Sequence, residues 1–412
     1  MKFFLFSNRN EKNISEYLGQ QEYSYWFVQR YFEKFLMAFG ETEVLKSLED
    51  FPGTIDDEKI LLLFMPPHSV PEDVAHLGVP VIAWEFDTIP DEGWLGNDRN
   101  NWYLTLFKNR GALTMSLFVA EEMRKILGSE YPIATIPVPV WDQYSHLFEV
   151  PRERSQKLKF HGVVYDSGQE ETEPSVNLAN KKLIAQNYEI CVDGVVYTSV
   201  FNPDDGRKEW IDLLSAFIWA HGSNSNTTLI LKLILSEGAQ SAEFVWDCVL
   251  NLKPFRCRVI IIHGYLDERT YEQLISSTAF VVNSSRGEGQ CLPLLEFMSA
   301  GVPAIAPSHT AMSDYVNSEN SLIVQHTREW ACWPQDLRFA FRCFTFPVDW
   351  NSLRLAYVAS YEIAIEKEVQ YESMRKSAYE TMEGYCSNRV VLNAFNDFLI
   401  KVKAGRSDSS EK

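Results

Sequence analysis

The segment from residue 279 to residue 307 constrains the fold more than any other part of the chain. It begins with a short apolar run, Phe280–Val282, and continues through a Gly-rich turn. Pro293 then stands where the first turn of a helix would lie, and a second apolar run begins after Gly301. Proline is favoured at the start of a helix and glycine just past its end. The order therefore predicts one strand–helix–strand unit of an α/β protein.

Two acidic side chains belong to this unit. Glu288 lies in the turn between Gly287 and Gly289, and Glu296 follows after seven further residues, in the first turns of the predicted helix. The glycines would allow a ligand to approach the backbone closely. The carboxylates can accept hydrogen bonds from hydroxyls of a ribose and of a hexose. The alternative is that both glutamates are solvated surface residues.

The backbone of the same turn could bind a phosphate. Amide groups at the start of a helix attract anions, and here they include those of Gln290, Cys291 and Leu292. Open α/β sheets bind ligands at the C-terminal ends of their buried strands, which is where this turn is expected. Together with the two glutamates, the turn therefore suits a nucleotide-sugar.

The run from residue 284 to residue 306 also resembles a known family. Its Gly-Glu-Gly turn, the helix that follows and the Ala-Gly-Val-Pro at 300–303 are similar to the retaining glycosyltransferases of family 4, the glycosyl transferases group 1, and their GT-B relatives. The resemblance implies a GT-B fold, in which two Rossmann-like doubly wound domains face each other across a cleft and a C-terminal helix crosses back to the first domain. It also implies that Glu288 binds the sugar near the reacting carbon and that Glu296 binds the ribose.

Basic residues in the second half are candidates for binding the donor diphosphate. In the resembling family an Arg and a Lys do so, and Lys208 matches the Lys position, with Arg207 next to it. The usual Gly-Arg is replaced by Thr198 and Ser199. Lys232 interrupts an apolar strand, where a charge costs free energy unless it reaches an anion or the surface. Lys232 is therefore a second candidate, and snorkelling outward is the alternative.

The catalytic candidates in the first half of the chain, and the candidates for contact with the nucleotide base, rest on the resemblance alone. The family often has a His-Asp-x-x-Pro run at the cleft, and Asp87 to Pro90 is similar to its end, with Glu85 close to where the His would stand. Glu85 and Asp87 are therefore catalytic candidates, or one of them caps the following segment. The family places the nucleotide base near a strand end that here contains His263 and Tyr265, although a histidine at such a position is usually structural.

A helix from Tyr23 to Phe39 is predicted by apolar residues at helical spacing. These residues are Phe27, Val28, Tyr31, Phe32, Phe35, Leu36 and Phe39. The favoured interpretation is a helix that faces the core of the first domain. The alternative is docking to a membrane surface or a lipid-linked acceptor.

Length and composition set further bounds. The chain has 412 residues, 46% of them hydrophobic, enough for two domains. We assign residues 1–190 to an acceptor-binding domain, 191–385 to a nucleotide-sugar-binding domain, 386–404 to a C-terminal helix that packs on the first domain, and 405–412 to a disordered tail. A net charge of -18 argues against nucleic-acid binding.

The sequence also bears on compartment and metal use. Seven cysteines without a C-x-x-C pair favour reduced thiols in a cytoplasm. No segment has the roughly twenty apolar residues of a membrane span, so any membrane contact is expected to be peripheral, at the inner face. Asp204 and Asp205 are adjacent rather than spaced as in a metal-binding Asp-x-Asp, so neither a metal nor another cofactor is predicted.

The resulting prediction is a retaining, metal-independent glycosyltransferase. It would move a sugar from a nucleotide-sugar to a glycan, glycoprotein or lipid-linked acceptor, in the assembly of a bacterial-type surface polysaccharide or glycoconjugate. A GT-B nucleotide-sugar epimerase or hydrolase, and a catalytically inactive nucleotide-sugar-binding relative, are the alternatives. A nicotinamide-dependent oxidoreductase is disfavoured because no G-x-G-x-x-G follows an early strand.

Overall fold

The structure is a computed structural model. It describes the chain except for residues 12, 21, 53–57, 95, 152–154, 169–184, 237–239, 334, 335, 337 and 408–412. Within the described residues the fold is α/β, with two main sheets and one separate hairpin.

The first sheet has six parallel strands in the order β2-β1-β3-β4-β5-β6 among the described residues. Its strands are β1 (Lys2–Ser7), β2 (Glu41–Val44), β3 (Lys59–Phe64), β4 (Gly78–Ile82), β5 (Ala112–Thr114) and β6 (Ile133–Thr135). The helices of this part are α1 (Ile14–Tyr17), α2 (Tyr23–Met37), α3 (Glu72–Ala75), α4 (Trp102–Leu106), α5 (Leu117–Leu127) and α6 (Trp141–Tyr144). Continuous apolar strands such as β3 are buried on both faces, as expected for a parallel sheet covered by helices.

The second sheet has eight strands in the order β14-β13-β12-β9-β10-β11-β7-β8 in the described part of the chain. They are β7 (Ser155–Asp166), β8 (Gln186–Asp193), β9 (Val195–Phe201), β10 (Thr227–Leu233), β11 (Arg258–His263), β12 (Phe280–Val282), β13 (Ala304–Ala306) and β14 (Ser321–Ile323). The helices here are α7 (Trp210–His221), α8 (Ser241–Asn251), α9 (Glu268–Ser277), α10 (Leu292–Ser299), α11 (Trp350–Glu366), α12 (Glu368–Cys386) and α13 (Asn388–Ser407). The strand–helix–strand unit predicted from the sequence is β12-α10-β13, and β12 and β13 pair in parallel.

The boundary between the domains differs from the one expected near residue 190. β7 pairs antiparallel with β11, and β8 pairs with β7, so both strands extend the second sheet. Assigning residues up to 190 to the first domain was therefore wrong for these strands. Their alternating charged side chains, such as Lys157 and Glu189, lie at a solvated sheet edge, which the sequence pattern does not distinguish from a surface loop.

The C-terminal helix crosses back to the first sheet, as predicted. On α13 the ring of Phe395 lies 5.9 Å from that of Phe3 on β1 and 6.4 Å from that of Phe35 on α2. The helix continues to Ser407, so residues 405–407 are helical rather than part of a disordered tail. Residues 408–412 of that predicted tail lie outside the described residues.

Helix α2 faces the core, which confirms the favoured interpretation of its apolar pattern. Val28, Phe32, Phe35 and Leu36 are buried against the first sheet, whereas Phe39, just beyond the helix, is exposed. Tyr31 shares the buried face, and its hydroxyl group reaches the second domain.

A small hairpin of the second half lies against the first domain. It consists of β15 (Glu329–Cys332) and β16 (Arg342–Thr345). Trp333, just after β15, packs against Trp84, with ring centroids 5.3 Å apart. This aromatic contact is one of the links that hold the two halves together.

Candidate active site

A cleft of about 570 Å³ lies between the two domains. The first domain contributes α2 and the segment after β4, and the second contributes the ends of β9 and β10 and the turn that leads into α10. The residues singled out in the sequence that line it are Glu85, Arg207, Lys208, Lys232, Tyr265, Glu288, Gly289, Gln290, Cys291, Leu292 and Glu296.

Glu288 is held as a buried, ionised carboxylate. Its Oε1 accepts hydrogen bonds from Lys208 Nζ at 2.6 Å, Ser285 Oγ at 2.5 Å and Asn283 Nδ2 at 3.2 Å. Burial alone would raise the pKa of Glu288, but the charges of Lys208 and Arg207, with the hydrogen bonds, hold it at about 2. Near neutral pH this site therefore contains a fixed negative charge 2.6 Å from a fixed positive one.

The loop geometry explains why Lys208 meets Glu288. Lys208 ends a short 3₁₀ turn, Gly206–Lys208, and the Asp205 side chain caps this turn by accepting from Arg207 N. The hydroxyl group of Ser284 donates to the Lys208 carbonyl oxygen at 2.9 Å, which ties this turn to the one that carries Glu288. Two loops distant in sequence are thus joined at the carboxyl edge of the sheet.

Arg207 links the two domains. Its guanidinium group binds both carboxylate oxygens of Asp205, lies 3.1 Å from Glu85 Oε1 and donates to the Gly287 carbonyl oxygen at 2.9 Å. Burial lowers the pKa of Arg207, but the carboxylates of Glu85 and Asp205 outweigh it and raise the pKa above its usual value. Burial raises the pKa of Glu85 in turn, while Arg207 opposes that rise. In this arrangement Arg207 is engaged by protein groups.

The two glycines around Glu288 have a different role from the one expected. A Cβ atom at Gly287 would lie 3.2 Å from the Glu85 carbonyl oxygen, and one at Gly289 would lie 3.0 Å from the Trp84 amide nitrogen. The close approach that these glycines permit is therefore to the backbone of the first domain. Gly289 also borders the cleft, whereas Gly287 is not among the residues that line it.

Glu296 is bound by two tyrosines. Tyr31 donates to Oε1 at 2.7 Å and Tyr271 donates to Oε2 at 2.6 Å, and Tyr31 also bonds the hydroxyl group of Tyr144 at 3.0 Å. Burial raises the pKa of Glu296, and the two phenol hydrogen bonds counteract this. The carboxylate is thus buried, oriented and adjacent to the cleft.

Lys232 is buried rather than directed to solvent. It is 7% exposed, and its Nζ donates to the Leu233 carbonyl oxygen at 2.7 Å. Burial lowers the pKa of Lys232 to about 8. The alternative of snorkelling outward was therefore wrong, and Lys232 is one of the residues that line the cleft.

Three predicted residues lie outside the cleft lining. Asp87 accepts from the Phe344 amide at 2.8 Å and lies 3.4 Å from Arg328, so it fastens the β15–β16 hairpin to the first domain. His263 is buried at the end of β11, while its neighbour Tyr265 lines the cleft. Gly287 is the third. The structure therefore does not bring Asp87, His263 and Gly287 to the cavity itself.

The sequence did not identify the tyrosines as site residues. Tyr31 was recognised only as part of the apolar face of α2, and Tyr144 and Tyr271 were not singled out. A usable signal existed for Tyr31, because a phenol on a core-facing helix surface needs a hydrogen-bond partner when it is buried. Its partner, Glu296, is 265 residues away in the sequence.

No metal centre is evident in the described part of the chain. Within it, no group of three or more His, Cys, Asp or Glu residues is placed to hold a metal ion. The seven cysteines, all of which are described, are free thiols. Among the described helices none is long and apolar enough to cross a membrane.

Comparison with solved structures defines the class of fold. The chain is similar to a glycosyltransferase from Rickettsia africae ESF-5, with a TM-score of 0.58, 10% identity and coverage of 97% of this chain and 98% of that one. Anabaena Alr3699/HepE in complex with UDP and glucose aligns with a TM-score of 0.55, 12% identity and coverage of 97% and 99%. At such identities the likeness shows the fold, which is GT-B.

A further solved structure aligns over a smaller share of both chains. Pneumococcal O-GlcNAc transferase GtfA, in complex with UDP and GlcNAc, aligns with a TM-score of 0.49 and 15% identity over 84% of this chain. The chain spans just over half, 57%, of the length of that protein. A search of curated proteins found no significant sequence match.

A family model matches part of the second domain. Residues 236–332, which include Glu288 and Glu296, match the family model for glycosyl transferases group 1. The match confirms the resemblance of this segment to that family, which was seen in the sequence.

Proposed function

We propose that this protein transfers a sugar from a nucleotide-sugar to a glycan, glycoprotein or lipid-linked acceptor, with retention at the anomeric carbon and without a metal ion. The observation that carries the proposal is the convergence of Glu288, Glu296, Lys208 and Lys232 on one interdomain cleft. Two carboxylates and two ammonium groups there match the hydroxyls and the diphosphate of such a donor.

Breaking the bond between the sugar and the diphosphate leaves negative charge on the phosphate oxygens. Preorganised cations in a site that excludes water stabilise such charge effectively. Lys232 fits this role better than Arg207, because Arg207 is bound by the carboxylates of Asp205 and Glu85. Lys208 has one such partner, Glu288. Within the described part of the chain, the bonded partner of Lys232 is a backbone carbonyl group rather than a carboxylate that would compete with a phosphate.

The sugar ring develops positive charge in the same step. Glu288 is ionised at neutral pH, because its pKa is about 2, and it can accept hydrogen bonds from sugar hydroxyls while stabilising that charge. Lys208 lies 2.6 Å from it, so one ion pair would bind both the sugar and the leaving group. Glu296 would bind the ribose.

The first domain would supply the acceptor side. Of the two carboxylates predicted there, Glu85 lines the cleft and Asp87 does not, so Glu85 is the residue that we assign to this side. Closure of the domains over the donor would exclude water and limit hydrolysis. By the family resemblance, the product would be a surface polysaccharide or glycoconjugate made in the cytoplasm, with at most peripheral membrane contact.

A transfer assay tests the proposal. Purified protein would be incubated with UDP-, GDP- and ADP-sugars and a panel of glycan and lipid-linked acceptors. The UDP-sugars are tested first because HepE is described in complex with UDP. We expect transfer from at least one donor, and its loss in Glu288→Ala. The matched control is Glu243→Ala, which removes an exposed carboxylate from α8.

The alternatives predict different products. An epimerase or hydrolase would alter the donor without any acceptor, and an inactive relative would bind a donor without consuming it. Transfer that proceeds equally well in Glu288→Ala would contradict the assignment of the site.

A further inference from the structure

The carboxylate of Glu296 is oriented by both domains at once. Tyr31 belongs to α2 of the first domain, and Tyr271 belongs to α9 of the second. Their hydroxyl groups hold different oxygens of Glu296, at 2.7 and 2.6 Å. The plane of the carboxylate is therefore set from two sides.

Both tyrosines donate to Glu296, and its carboxyl oxygens accept. Burial raises the pKa of both Tyr31 and Tyr271, so both phenols are neutral and each has one O–H to donate. The single O–H of each phenol is therefore used on Glu296. The hydroxyl group of Tyr144 must then be the donor in its 3.0 Å contact with Tyr31. The result is a directed chain from Tyr144 through Tyr31 to Glu296, in which each bond strengthens the next.

This arrangement leaves acceptor capacity for a ligand. A carboxylate has about four lone-pair positions, and the two phenols use two of them. The two that remain equal the number of hydroxyl groups on a ribose cis-diol. Glu296, Tyr31, Tyr144 and Tyr271 all border the cleft, so a diol could reach the carboxylate without displacing either tyrosine.

We propose that Tyr31 and Tyr271 are positioning residues for the donor ribose, and that Tyr31 makes ribose recognition depend on how the two domains are placed. The inference rests on the proposed function, since it takes Glu296 as the ribose ligand. If the domains separate, Tyr31 moves away with α2, and Glu296 loses one of the two groups that orient it. A nucleotide with a ribose diol therefore favours the closed arrangement more than one without it.

The experiment compares nucleotides with and without the diol. Calorimetric titrations would use UDP, ADP and GDP, each beside its 2′,3′-dideoxy counterpart, on the wild-type chain and on Y31F and Y271F. The readout is the ratio of the two dissociation constants. We expect the wild type to prefer the ribonucleotide, and we expect that preference to shrink about fivefold in each variant, as for loss of one ordinary hydrogen bond.

A matched control separates positioning from damage to the helix. Y25F removes another buried phenol of α2, which accepts from the Ala83 amide at 3.1 Å, and it should leave the ratio unchanged. If Y31F does not fold, Y144F removes the donor to Tyr31 instead and should shrink the ratio in the same direction, by less.

Several results would overturn the inference. One is an unchanged ratio of dissociation constants in Y31F. Another is a larger ratio in Y31F, which would mean that Tyr31 competes with ribose. A third is a ratio that shrinks as much in Y25F as in Y31F. If the preference for the ribonucleotide shrinks only in Y271F, ribose recognition does not depend on the first domain. A wild-type chain that binds none of the nucleotides would instead contradict the proposed function itself.

Discussion

Lys208 Nζ lies 2.6 Å from Glu288 Oε1 in an ion pair that lines the interdomain cleft. The two residues come from different loops of the second domain, and each has a proposed partner in the donor. Lys208 would bind a phosphate and Glu288 a sugar hydroxyl. In the proposed reaction the pair would therefore contact both sides of the bond that breaks.

Replacement of Lys208 should mainly lower turnover. In Lys208→Met the cation that stabilises the leaving diphosphate is lost, and we expect kcat to fall about 10²-fold or more, with a smaller change in KM. Initial rates over a range of donor concentrations measure both. Lys253→Met, a substitution in the loop after α8, is the control and should behave as wild type.

Donor binding should depend on pH through Lys232. Its pKa is about 8, and a diphosphate stabilises the charged form, so binding above pH 8 should take up a proton and weaken by up to tenfold per pH unit. Calorimetry in two buffers of different ionisation enthalpy measures that proton. Lys232→Met should abolish the proton uptake, and persistence of the same uptake in this variant would assign it to another group.

The same lysine should affect stability in alkali. The pKa of Lys232 in the folded chain is lowered from 10.5 to about 8, so between these values the unfolded chain binds more protons. The contribution of Lys232 to the free energy of unfolding should therefore rise with pH over that window. Unfolding in urea from pH 7 to pH 10 gives the free energies of unfolding of the wild type and of Lys232→Met. The difference between these two free energies should narrow as pH increases. A constant difference would contradict the lowered pKa.

Gly289 should be intolerant of a side chain. A Cβ atom there would lie 3.0 Å from the Trp84 amide nitrogen, so Gly289→Ala should destabilise the chain by about 1–3 kcal/mol or force the domains apart. Thermal unfolding and small-angle X-ray scattering detect the two effects. Gly384→Ala is the control, because nothing lies within 4 Å of its Cβ position in α12, and it should stabilise the chain by about 0.5–1 kcal/mol.

Asp87 and Glu85 should separate in their effects. Asp87→Ala leaves the Phe344 amide without its acceptor, so we expect a loss of about 1–3 kcal/mol in stability with donor affinity and transfer unchanged. Glu85→Ala should instead lower transfer. Chemical unfolding and transfer rates measured on both variants test this. A loss of activity in Asp87→Ala under conditions where the variant is fully folded would restore Asp87 as a site residue.

Local patterns predicted much of the fold. The unit β12-α10-β13 was recognisable because its apolar runs, Pro293 and Gly301 lie within one short segment. The edge strand β2 was missed, since Glu41–Val44 is mostly exposed and lacks an apolar alternation. The pairing of β7 and β8 with the second sheet depends on contacts with β11, which are remote in sequence.

Individual site residues were predictable from the sequence, whereas the contacts between them were less so. Glu288 and Lys232 were found because each breaks a local pattern, as a carboxylate between glycines and as a charge in an apolar strand. Glu296 was found from its spacing after Glu288, and Lys208 from the family resemblance. The Arg207–Glu85 and Tyr31–Glu296 contacts join different domains. Their formation depends on how the domains pack, which no local pattern of residue types specifies.

The most direct test of the central claim is the affinity of the cleft for nucleotide-sugars in wild type and Glu296→Ala. Isothermal titration with a panel of UDP-, GDP- and ADP-sugars gives the dissociation constants. We predict that at least one donor binds the wild-type chain and that its affinity falls about tenfold or more in Glu296→Ala, because two hydroxyl hydrogen bonds to the carboxyl group are lost. Equal affinity in the two proteins, or no binding of any donor to the wild type, would contradict the account.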